Sequence, residues 1–341
     1  MTLNLKKSVL FTGAGFTKNF GGFLAREMWS KIFNDSRLDE LPDVKELLRN
    51  NFDFETIYSE VINSQNHTDE QKQQFHDIIK KAYDDMDRML SQYVFTGSDP
   101  YGVNTYGVNK LLGSFAGSTG ETGVHFTLNQ DLFMERHTKR QPLGLATLKY
   151  KDYLDQIQTG RIEAERIVQL PDDEFLNKFK ENHLNSNGDL LYVKLHGSFG
   201  WGSVGGGDQM VLGTNKYEDI IKEPLLAWYF ELLENALYRP GVTMLIIGYG
   251  FKDEHINKIF AKAIQEHGLQ LYIISPEDPE NFKNRIIGKP STEGVLWSPN
   301  ELGETIWKGV VGYFPYLLKE IYPADQSKTH IANDLAVIFK R

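Results

Sequence analysis

Short apolar runs recur along the chain at Val9–Phe11, Val124–Leu128, Leu190–Leu195, Met210–Leu212, Val242–Ile247 and Leu269–Ile274, and they end in glycine or a polar turn. Runs this short, rich in Val, Ile and Leu and separated by helical periodicity, predict strands buried on both faces of a parallel sheet. The clearest helical pattern is Asp253–His267, where Ile256, Ile259, Phe260, Ala263 and Ile264 fall on one face. Asp253 is placed to cap its first turn. The class these patterns predict is α/β.

Two intervals break the strand–helix alternation. Residues from about 35 to 118 are polar and helix-patterned, and the charged run Glu70–Tyr93 carries an apolar stripe of Phe75, Ile78, Ile79, Ala82, Met86 and Leu90. This predicts a helical insertion beside the sheet. A second stretch, about 138–188, is charged and mixed in pattern and reads as another insertion. From Glu301 to Arg341, Trp307, Val310, Val311, Phe314, Leu317 and Leu318 read as a helical segment, either a packing surface for another chain or a terminal helix docked on its own core. The organisation expected is thus one domain over 1–300 carrying both insertions, followed by a helical segment over 301–341. No internal repeat or low-complexity tract interrupts it.

Charge and composition narrow the function. The 341 residues carry 37 Lys and Arg against 46 Asp and Glu, a net charge of −9, which argues against direct nucleic-acid binding as the main activity. Cysteine is absent, which excludes disulfides, thiolate nucleophiles and Cys-based zinc or iron–sulfur sites. The apolar stretch after Met1 is cut by glycines before it could serve as a signal segment, and no run approaches the roughly 20 apolar residues of a membrane span. The expectation is a soluble, cytoplasmic protein without membrane contact.

Four constellations could carry chemistry. Val9–Phe11 runs into Gly13, Ala14, Gly15, Phe16 and Thr17 and then a helix-like segment, a turn able to offer backbone N–H groups to a phosphate, although it equally serves as a tight turn. It is neither the Walker pattern nor the ordinary Rossmann fingerprint. Thr127-Leu128-Asn129-Gln130-Asp131 places amides and a carboxylate just past a strand end, where ligands gather in doubly wound sheets, or where a turn caps the next helix. Leu190–Leu195 delivers His196 beside Gly197, and an imidazole there suits a general base. Of the other histidines, His76 and His137 read as solvated surface groups and His125 as structural. Finally, Met244–Ile247 leads into Gly248, Tyr249, Gly250 and Phe251, where glycines would let a nucleotide approach the backbone and Tyr249 either flanks a base or packs.

In this order the four segments resemble the sirtuin family, most closely its bacterial sirtuin-like branch of antiphage defence proteins. The motifs that carry the resemblance are Gly13-Ala14-Gly15-Phe16-Thr17, Thr127-Leu128-Asn129-Gln130-Asp131, Lys194-Leu195-His196-Gly197 and Gly248-Tyr249-Gly250-Phe251 with Asp253. The resemblance implies a Rossmann-like doubly wound parallel sheet with helical insertions, binding NAD as substrate. The pyrophosphate is then expected at Gly13 to Thr17, Asn129 orienting ribose or water, His196 as general base, Asp131 holding the pocket, and Gly248, Tyr249 and Gly250 along the adenosine side. Zinc-bearing deacylating sirtuins need four cysteines, so no zinc module and no metal are expected here.

The reaction implied is hydrolysis of the nicotinamide–ribose bond, with depletion of NAD during phage infection. Cleavage expels neutral nicotinamide and leaves an oxocarbenium-like ribose, so the site must position, supply oriented dipoles and accept a proton. Control by homo-oligomerisation or by a partner such as a HerA-type motor ATPase is expected with it. Two other readings stand beside this one: an NAD-dependent deacylase or ADP-ribosyltransferase with a protein acceptor, and a non-catalytic sensor binding NAD or ADP-ribose.

Overall fold

Strand β1 (Leu5–Thr12) lies at the centre of a six-stranded parallel sheet with β2 (Thr122–Thr127), β4 (Leu190–Lys194), β7 (Thr243–Ile247), β8 (Gln270–Ile274) and β9 (Val310–Phe314). The computed structural model describes residues 4–91, 101–137, 168–182, 190–213, 216–288 and 301–339. The spatial order is β4-β2-β1-β7-β8-β9. The chain winds outward from β1 to β4 on one side, then returns to β7 and winds out to β9 on the other. The reversal falls between β1 and β7, the switch point at which a doubly wound sheet opens a crevice.

Alternate residues of β1 explain why its Val9–Phe11 stretch is continuously apolar. Val9 and Phe11 enter one buried cluster with Val124, Phe126, Met244 and Ile246, whereas Leu10 enters the other with Leu245, Ile247 and the helical insertion. Both faces are covered there, so no polar position within that stretch marks the period.

The expected insertion over 35–118 contains helices at Pro42–Asn50, Phe54–Asn63, Asp69–Ser91 and Thr105–Gly113. All six residues of the stripe in Asp69–Ser91 are buried. His76, expected on a solvated face, instead accepts or donates at both ring nitrogens, to Tyr58 Oη at 2.9 Å and to Asp208 at 3.0 Å. Lys80 joins the same carboxylate at 2.9 Å, and together these contacts tie the insertion to a distant strand. His137, also expected on the surface, is drawn to the Leu90 carbonyl at 2.5 Å, and its burial lowers its pKa. The second expected insertion lies largely outside the described residues; within it are β3 (Val168–Gln169) and the helix Asp173–Asn182.

Two expectations fail in informative ways. Met210–Leu212 does not join the parallel sheet: β6 (Asp208–Met210) pairs antiparallel with β5 (Gly197–Gly202), and β3 completes a separate three-stranded sheet. The hairpin turn between them runs through Gly206 and Gly207, whose φ values of +92° and +89° suit glycine alone. The tail is not helical throughout either, because Val310–Phe314 forms edge strand β9 along β8. Gly309 and Gly312 bracket the β-branched pair Val310–Val311, which weakens a helix, and a Cβ at 312 would meet the Tyr272 ring at 2.4 Å. The rest of the tail packs on its own chain through Ile306, Leu318, Ile321, Leu335 and Phe339, all buried. Among the described residues no helix is long and apolar enough to cross a membrane.

Candidate active site

Strand register assembles the site. Thr12 is level with Thr127 and Ile247, and Thr127 with Lys194. The residues just past these ends, Gly13, Asn129, His196 and Gly248, therefore arrive at one height along the crevice. They line a cavity of about 650 Å³ together with Ala14, Gly15, Gln130, Asp131, Tyr249 and Gly250.

The two glycine turns meet backbone to backbone. Gly13 N–H donates to Ile247 O at 3.1 Å and Gly15 N–H to Gly248 O at 2.9 Å. A Cβ on Gly15 would lie 2.7 Å from Gly248 Cα, and one on Gly248, whose φ is +67°, would lie 2.3 Å from the Gly15 carbonyl carbon. Of the turn's amides expected to face an anion, two are thus spent on β7 and its exit, and Phe16 N–H returns to Gly13 O at 2.8 Å. Ala14 N–H has no protein partner among the described residues. The Phe16 side chain faces away from the cavity into the core, against Phe20 and Phe133.

Thr17 lies behind the cavity wall, where its hydroxyl accepts from Asn129 Nδ2 at 2.8 Å and lies beside the Asp131 carboxyl. With Nδ2 so engaged, Asn129 Oδ1 has no protein partner among the described residues and is the atom left for a ligand. Asp131 also accepts from Phe133 N–H at 2.9 Å, closing a turn at the entry to the short helix Phe133–His137. Burial raises its pKa, opposed by the Lys194 ammonium. Lys194 is itself fully buried and bonds Glu135 at 2.8 Å and Ser198 Oγ at 2.7 Å, a support beneath the site. Gln130 Nε2 donates to the carbonyls of His196 at 3.1 Å and Val211 at 2.8 Å, which fixes the turn carrying the histidine.

His196 is 3% exposed. Burial drives its pKa down to about 3, so the ring is neutral at physiological pH. Its Nε2 lies 3.0 Å from Nε2 of His255, near the start of the helix Glu254–His267. Asp253 stands at the cap position of that helix, yet its carboxylate makes no capping bond, contrary to the expected role. It turns instead to Lys216 Nζ at 2.9 Å, which also binds Glu55 at 2.6 Å. Against the upward push of burial, the charge and hydrogen bond of Lys216 hold the Asp253 carboxyl below its ordinary pKa. His196, Asp253 and His255 place possible ligand atoms within 4.8 Å of one another, a spacing that could hold a metal ion. The Lys216 ammonium already supplies a positive charge to that carboxylate.

The last turn is strained where it leaves the sheet. Phe251 has φ of 55°, the left-handed region that an aromatic residue rarely adopts. Asn257 holds it by donating to Phe251 O at 2.9 Å, and Tyr249 Oη donates to Asn257 Oδ1 at 3.1 Å. Both aromatic rings are buried.

Sequence reasoning did not reach Glu55, Lys216 or His255. His255 had a signal, an Asp-x-His at the helix start after a glycine turn. Glu55 and Lys216 carried none, because each comes from a segment without a motif.

A doubly wound sheet with a cavity at its switch point defines an α/β protein with a ligand crevice. The family model described as the SIR2-like domain matches residues 123–293, half of the chain, and the chain belongs to that family. Membership brings an NAD-related function. The matched stretch contains Asn129, His196 and Gly248; the first glycine turn precedes it and packs on Gly248. No curated protein matches the chain.

Proposed function

We propose that this protein hydrolyses NAD at the nicotinamide–ribose bond, giving nicotinamide and ADP-ribose. The observation that carries this reading is that Asn129 Oδ1 and the neutral His196 line one cavity at the sheet's switch point. The bond to the pyridinium nitrogen breaks with its electron pair going to nicotinamide, so no acid is required. Asn129 Oδ1 presents the negative end of an oriented dipole to the ribose as positive charge develops, or holds the attacking water. Water adds to the ribose carbon, and its proton passes to His196. Ala14 N–H and the exposed ammonium groups of Lys252 and Lys319, which line the same cavity, are suited to the pyrophosphate.

The resemblance to sirtuin-like defence proteins extends the proposal to NAD depletion during phage infection, under control of self-assembly or a partner such as a HerA-type ATPase. The test is to incubate purified protein with NAD, with and without acylated peptide and with and without a candidate partner, and resolve products by chromatography. Equal release of nicotinamide and ADP-ribose without peptide supports the hydrolase. Release only with peptide, with an acylated ribose product, replaces it by a deacylase; NAD binding without release in every mixture, the partner included, replaces it by a sensor.

A further inference from the structure

We propose that His255 is a positioning residue, the outer half of a two-histidine relay that sets which nitrogen of His196 faces the cavity and carries its proton to solvent. The direction of proton flow rests on the NAD reading; the pairing of the rings does not.

An Nε2···Nε2 separation of 3.0 Å is a hydrogen bond only when one nitrogen carries a hydrogen and the other a lone pair. Two bare nitrogens, or two N–H groups, would repel at that distance. The contact therefore couples the tautomers of the two rings. If His255 were the donor, His196 Nε2 would be the acceptor and its hydrogen would sit on Nδ1, leaving no lone pair for a substrate proton. A base at His196 requires the opposite arrangement: His196 Nε2–H donating to His255 Nε2, with the His196 Nδ1 lone pair free. Among the described residues no protein group bonds that Nδ1.

The surroundings favour a relay over a simple packing contact. His196 is buried, whereas His255 is partly exposed and its ring is held 5.7 Å from that of Phe230. Asp253 faces both imidazoles, and its carboxylate, released from capping, steadies a proton on either. Lys216 faces both as well, with Glu55 bound behind it; Glu254 and Lys258 flank His255.

The proton balance closes. Water gives one proton to His196 Nδ1 as its oxygen bonds to the ribose carbon. The hydrogen on His196 Nε2 moves to His255 Nε2, and His255 releases its Nδ1 hydrogen to solvent. NAD and water thus become nicotinamide, ADP-ribose and one proton, and exchange with solvent after product release returns both rings to their starting tautomers.

The test combines nitrogen-resolved NMR of the imidazoles with steady-state kinetics on wild type, His255→Ala and His255→Gln. In wild type, His196 is expected as a single Nε2–H tautomer, which His255→Ala converts to a mixture. Gln can accept the same hydrogen bond but passes no proton, so His255→Gln is expected to keep the tautomer. Both variants are expected to lose about 10- to 100-fold in kcat with KM within about twofold, a part of the usual acid–base contribution. Added imidazole is expected to restore His255→Ala and leave His255→Gln unchanged, a pattern that a purely structural role would not give. Wild-type kcat in folded His255→Ala, or His196 found as the Nδ1–H tautomer, overturns the relay and leaves the NAD reading standing. A wild type that cleaves no NAD with or without its candidate partner overturns that reading and the direction of proton flow with it, while the tautomer spectra still decide the pairing.

Discussion

The side-chain amide of Asn129 donates to the Thr17 hydroxyl across 2.8 Å, joining positions 112 residues apart in sequence. The same hydroxyl lies beside the buried Asp131 carboxyl and favours its charged form. Thr17→Val removes the bond to Asn129 without changing shape much. It is expected to lower kcat/KM for NAD cleavage by about 10- to 100-fold, the equivalent of leaving a buried polar partner unsatisfied. Nicotinamide release measured against wild type checks this.

Asn129→Ala and His196→Ala are each expected to abolish measurable NAD cleavage, with losses on the order of 10²–10⁴ for the base. Both residues follow strand ends and neither belongs to an apolar cluster. Circular dichroism should therefore show a folded chain in each case. A folded His196→Ala protein with wild-type turnover removes that residue from the mechanism.

Gly248→Ala tests the contact between the glycine turns. A left-handed backbone costs a non-glycine residue about 1–2 kcal/mol, and overpacking a filled contact adds about 1–3 kcal/mol. Gly206→Ala is the control: its φ is +92°, yet nothing lies within 4 Å of the added carbon. Urea unfolding should show Gly206→Ala losing only the first contribution and Gly248→Ala losing both. Equal losses would mean that the close approach to Gly15 has no energetic weight.

Stability is expected to fall on mild acidification. Burial lowers the pKa of both His125 and His196 from 6.5 to about 3. Between those values the unfolded chain binds protons that the folded chain refuses, so stability rises with pH across that window and is level above about 6.5. Each histidine contributes up to about 1.4 kcal/mol per pH unit in the window. Thermal melts from pH 7.5 to 5 should show a falling Tm, and the fall should be shallower in His196→Ala.

Lys194→Met is expected to destabilise by about 3–5 kcal/mol, because it leaves Glu135 buried without its cation. Adding Glu135→Gln should recover part of the loss. Denaturant melts of the single and double variants decide whether the ion pair is the cause.

The sheet was legible because parallel strands covered on both faces leave runs such as Met244–Ile247 that need little else to be recognised. Asn129 and His196 were legible as polar residues immediately after such runs. Edge strand β9 was not, since its residues are only partly buried and its apolar positions fit a helix equally well. The Asp253 carboxylate was misread as a cap because local sequence cannot reveal a lysine 37 residues away that competes for it. Glu55 reaches the cavity only through the packing of the insertion, a relationship between distant segments that no spacing encodes.

The meeting of Gly13, Gly15 and Gly248 has a consequence for how this protein can change over generations. No side chain stands between the two turns, so no rotamer shift can absorb a substitution on one side. A larger residue on either turn forces the main chains apart, and with them the strand ends that carry the cavity. Neither turn can drift alone. Diversification of ligand preference is therefore channelled to the cavity's other walls, where the exposed Lys252 and Lys319 reach it by side chains that can be exchanged one at a time, whereas Glu55 and Lys216 are tied to each other as an ion pair.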